Sequence, residues 1–63
     1  MKASEMSDSD LNKAAHNMKR YGGSFAENIA NAYFCADSTN QVRVVDAFPE
    51  LFERYAPRMG WES

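Results

Sequence analysis

Sixty-three residues, 44% of them apolar, with seven basic and nine acidic side chains, provide material for one small domain and exclude the layered architectures of most enzymes. A formal charge of −2 gives no long-range field to hold the chain on phosphate or on an anionic membrane. The single cysteine forms no internal disulfide, and with one histidine it cannot complete a zinc site, so no metal or other cofactor is expected and a reducing cytoplasm fits best.

Residues 1–9 are polar, hydroxyl-rich and acidic, the composition of a flexible tail ahead of one helical domain over residues 10–63. They also lack the apolar run of a secretory signal, and nowhere is there a stretch of roughly eighteen apolar residues that would span a membrane. From Leu11 the apolar residues fall at Leu11, Ala14, Ala15, Met18 and Tyr21, the spacing of one helical face, which predicts a helix over about 10–21. Ser7 or Ser9 can cap its start. Lys19 and Arg20 suit its last turn, and Gly22-Gly23 offers the left-handed residue that ends many helices.

Ser24-Phe25-Ala26-Glu27 has the form of a capping box and opens a second helix over about 25–36. Its apolar residues, Phe25, Ala26, Ile29, Ala30, Ala32, Tyr33, Phe34 and Ala36, cover about half the circumference. A stripe that wide predicts a central helix covered on two sides, with Cys35 partly buried at the border of the polar arc. Asp37 or Ser38 can cap a third helix over about 39–47, in which Val42, Val44, Val45 and Phe48 share an arc; the alternation Val42-Arg43-Val44 also permits a short strand. Pro49 drives Phe48 out of helical geometry and suits the first position of a fourth helix over about 49–55, with Leu51, Phe52 and Tyr55 inward. The expected fold is all-α, a compact bundle of three to four short helices.

Tyr21-Gly22-Gly23-Ser24-Phe25, Ala36-Asp37-Ser38-Thr39-Asn40 and Ala47-Phe48-Pro49-Glu50-Leu51-Phe52-Glu53-Arg54-Tyr55, in that order, resemble a pattern found in short accessory reading frames of tailed phages and prophages. The resemblance spans about Tyr21 to Tyr55. It implies a bacterial host cytoplasm and an accessory role, and it brings no catalytic or binding residues with it.

Catalysis finds little support in the residues. His16 lies on the polar side of the first helix near Lys13, Lys19 and Arg20, which is the place of a solvated histidine, and Cys35 has no base beside it on its own helix. Glu27, Asp46, Glu50 and Glu53 fit helix starts and solvated faces. Gly22-Gly23 is preceded by a helix and followed by no lysine, so it reads as an interhelical turn and not as a phosphate loop. The chain is therefore expected not to be an enzyme.

Binding is the stronger expectation. Folding this chain removes about 6,200 Å² from water, roughly 60% of it apolar, which stabilises it by roughly 90 kcal/mol, against roughly 95 kcal/mol for ordering every residue. The surplus is thin, and four Phe, three Tyr and one Trp are too many rings for so small an interior. Aromatics with Arg and Met anchor interfaces, so Tyr33, Arg54, Tyr55, Arg58, Met59 and Trp61 are the expected contact residues. The partner is a second copy in a homo-oligomer, a bacterial host protein, or both. The alternative is a small DNA-binding regulator, in which Asn40, Gln41 and Arg43 of the third helix would read base edges.

Overall fold

The computed structural model describes residues 2–57, and among them four α-helices pack as an all-α bundle: α1 (Asp8–Tyr21), α2 (Ser24–Cys35), α3 (Ser38–Ala47) and α4 (Pro49–Arg54). No strand forms at Val42–Val44. α1 lies chiefly against α2 and then α4, while α3 lies against α2. Ala14 and Ala15 on α1 and Ala26 and Ala30 on α2 are all buried, so the two main helices meet through methyl groups. Met18, Tyr33, Val45, Phe52 and Ala56 fill the rest of the interior.

Local chemistry sets the helix ends. Ser7 Oγ accepts the Asp10 amide at 3.1 Å, which starts α1 two residues ahead of the expected position 10. Asp37, rather than Ser38, caps α3, its Oδ1 accepting the Asn40 amide at 2.9 Å. Phe48, at φ −134° and ψ 55°, ends α3 and begins α4 at one residue, with Pro49 in the first turn as its ring favours.

Two expectations fail between α1 and α2. The α2 cap is Gly23, and Ser24 already lies inside the helix with no side-chain capping bond, so the capping box does not form. Neither glycine is left-handed: Gly22 has φ −82° and Gly23 φ −76°. Gly22 is required for a different reason, because a Cβ there would lie 2.6 Å from both the Ala26 Cβ and the Met18 carbonyl oxygen. The crowded alanine seam between α1 and α2 leaves no room for a side chain at the turn.

The expected tail is also corrected. Ala3–Glu5 forms a 3₁₀ turn, Ala3 and Met6 are buried, and the Ala3 amide donates to Glu53 Oε2 at 2.9 Å. Ala3 opens the turn, Met6 follows it in extended backbone, and the segment lies beside α4. Composition averaged over the segment hid these two anchors.

Asn17 is a buried polar residue, 2% exposed, on the inner face of α1. Its Nδ2 donates to the Tyr55 carbonyl oxygen at 3.0 Å and ties the end of α4 to α1. Asn17→Leu keeps the branching of the side chain, is bulkier than the amide, and deletes the donor. It is expected to lower the urea unfolding free energy by about 1 to 3 kcal/mol, through the stranded carbonyl and lost bond.

Candidate interaction surfaces

Of the expected contact residues, Tyr33, Arg54 and Tyr55 lie among the described residues. Tyr33 is buried, 4% exposed, because its ring fills the space between α2 and α4, 5.4 Å from the ring of Phe52. Burial lifts the phenol above its ordinary pKa, and the Asp8 carboxylate adds to the lift. The neutral ring therefore supports the fold up to its unfolded pKa, and this contribution fades as pH rises through the raised folded value. Arg54 is exposed and Tyr55 half-buried, its carbonyl held by Asn17. Arg58, Met59 and Trp61 lie outside the described residues.

The residues of the DNA-binding alternative are adjacent on α3, with Asn40 and Arg43 exposed and Gln41 half-buried. The Gln41 Nε2 donates to the Tyr33 carbonyl at 3.0 Å, and Arg43 Nη1 donates to Asn40 Oδ1 at 3.4 Å. Asp37 at the cap and Asp46 on the helix set two carboxylates against the one cation of α3, which opposes phosphate approach.

His16 is exposed, its ring 4.7 Å from that of Phe34, with the Lys19 ammonium 5.7 Å from the same ring. Phe34 is thus half-covered by polar side chains from α1. Cys35, expected to be partly buried, is exposed at the last position of α2, where the chain already turns away toward Asp37.

Two apolar surfaces emerge that the sequence did not single out. The first is an edge of α2 and α3. Phe25, expected inside, is 59% exposed, and its ring stands edge-on to Phe48 at 5.4 Å and 78°. Helical spacing continues this edge along α2 through half-buried Ile29 to exposed Ala32. The buried face of α2 is the neighbouring row Ala26, Ala30 and Tyr33, so its stripe is covered on one side and open on the other.

The second is a groove of about 600 Å³ between the N-terminal segment, the start of α1, α3 and the start of α4. Met6, Leu11, Tyr33, Val42, Val45 and Pro49 supply its apolar lining. Val42 is itself 59% exposed and carries the lining out onto open surface. Neither His16 nor Cys35 lines it. Among the described residues no three metal-ligating side chains cluster, and no helix is long and apolar enough to cross a membrane.

No family model matches this sequence, and neither a curated protein nor a solved structure matches it.

Proposed function

We propose that this chain works by binding another protein rather than by catalysis, and that its partner at the α2–α3 edge is a second copy of itself. The observation that carries this reading is Phe25, whose ring meets Phe48 edge-on and remains 59% exposed. A phenyl ring left in water forfeits most of its burial energy, and a two-fold pairing of such edges recovers it on both chains at once. The seam can continue through Ile29 and Ala32, whose small side chain permits close approach of the paired helices. The placing of His16 and Cys35 away from the groove supports the non-catalytic part of the reading. An accessory role in a phage-infected bacterium, with a host protein as a further partner, is supported by the ordered segments from Tyr21 to Tyr55 alone.

Sedimentation equilibrium tests the pairing. The wild-type chain is expected to rise from its 7.1 kDa monomer mass toward twice that value across the micromolar range. Phe25→Asp is expected to weaken association by more than about tenfold while leaving the helical circular dichroism intact, since the position is exposed. A wild-type protein that stays monomeric throughout would remove the reading.

A further inference from the structure

The groove has a charge pattern as well as an apolar lining. Among the described residues, Asp8 of α1, Asp46 of α3 and Glu53 of α4 line it, against the ammonium of Lys2. Asp8 and Asp46 are exposed, and Glu53 uses Oε2 to hold the Ala3 amide. α1, α3 and the short α4 all begin at the groove, at Asp8, Ser38 and Pro49, and their dipoles place partial positive charge beside it. One leading amide of α1 and one of α3 are already taken: Ser7 Oγ accepts the Asp10 amide, and Asp37 Oδ1, itself anionic, accepts that of Asn40. The full charges therefore set the sign of the site, and it is negative.

We propose that this groove receives a basic amphipathic helix from a partner protein. Aliphatic side chains on one face of that helix enter between Met6, Leu11, Val42 and Val45, and flanking lysines or arginines meet Asp8 and Asp46. Helix-in-groove docking needs an apolar trough with room for side chains one turn apart, and about 600 Å³ supplies it. Val42 carries the lining outside the trough, which suits an elongated ligand with apolar groups along one side better than a compact molecule. The acidic residues come from three different helices, so a cationic partner meets carboxylates on several sides of the trough and not along one strip. This proposal rests on the binding reading above but uses a different face from the Phe25 edge.

The test uses a fluorescein-labelled leucine–lysine amphipathic peptide of about four helical turns, and a leucine–glutamate peptide of the same apolar pattern, read by fluorescence anisotropy at physiological salt. The lysine peptide is expected to bind saturably, and the glutamate peptide at least about tenfold more weakly. Asp46→Lys is expected to reduce affinity for the lysine peptide about tenfold, and Val42→Lys to reduce it further. Both positions are exposed, so circular dichroism should show unchanged helix content. Glu27→Lys alters net charge as Asp46→Lys does but lies outside the groove, and it is expected to have a much smaller effect. Phe25→Asp should abolish self-association and leave peptide affinity unchanged, which separates failure of this proposal from failure of the pairing. The proposal is overturned if the lysine peptide does not bind, if both peptides bind equally, or if Glu27→Lys matches Asp46→Lys. It is overturned as well if Asp46→Lys converts a dimer to a monomer without altering peptide affinity, because a second copy then fills the groove.

Discussion

Phe52→Ala is expected to remove from about a third to all of the protein's stability. Phe52 has no accessible surface, and with Met18 it is one of the two largest side chains fully enclosed. It joins α4 to the interior, its ring 5.4 Å from that of Tyr33 on α2. Removing such a ring costs about 3 to 5 kcal/mol, through lost burial and the cavity left behind. A domain of this length has a total margin of about 3 to 9 kcal/mol. Urea titration followed by circular dichroism should therefore show a midpoint lowered by at least about a third, or no folded baseline. A midpoint close to wild type would mean that α4 is not part of the cooperative core.

The second large effect is expected at Gly22, and it has the opposite sign from its neighbour. Gly22→Ala places a methyl group 2.6 Å from the Ala26 Cβ and from a backbone oxygen of α1, neither of which can swing aside. Overpacking of this kind costs about 1 to 3 kcal/mol, which for a domain of this size lowers the melting temperature by about 4 to 8 °C per kcal/mol. Gly23 has open space where its Cβ would stand and an ordinary negative φ at the cap of α2. Gly23→Ser therefore narrows the unfolded ensemble and supplies the capping oxygen that α2 lacks. It is expected to stabilise by about 0.5 to 1 kcal/mol. Differential scanning calorimetry of both variants checks the pair; equal shifts would show that the α1–α2 turn is not packed as described.

The contrast between these glycines shows what sequence reading can and cannot reach. Signals that act within a few residues were legible: the periodicity of Leu11, Ala14, Ala15 and Met18, the Asp37 cap, and the bend that Pro49 imposes at Phe48. The positions that misled depend on what lies across the bundle. Gly22 reads as a conformational device but is a contact with Ala26. Ala3 and Met6 are two apolar residues in a polar segment, and only the 3₁₀ turn and the Glu53 acceptor make them an anchor. Asn17 counts as polar in any periodicity, yet the Tyr55 carbonyl that satisfies it comes from thirty-eight positions away.

The surfaces follow the same logic. A hydrophobic stripe says that a face prefers cover, not which part of it the rest of the chain covers. On α2 the bundle takes Ala26, Ala30 and Tyr33 and leaves Phe25; on α3 it takes Val45 and leaves Val42. Tyr33 was the natural choice for an interface and Phe25 for a core, and the structure exchanges them. The excess of rings over interior volume was readable, but that Phe25 stands among those left outside was not.

Amide NMR spectra recorded across a dilution series test the central claim most directly, because they report where the molecules meet as well as whether they do. Resonances of Phe25, Ile29, Ala32 and Phe48 are expected to shift together with concentration, while those around Ala14, Ala15 and Asn17 stay fixed. Concentration-independent spectra, or shifts centred away from the α2–α3 edge, would contradict the account.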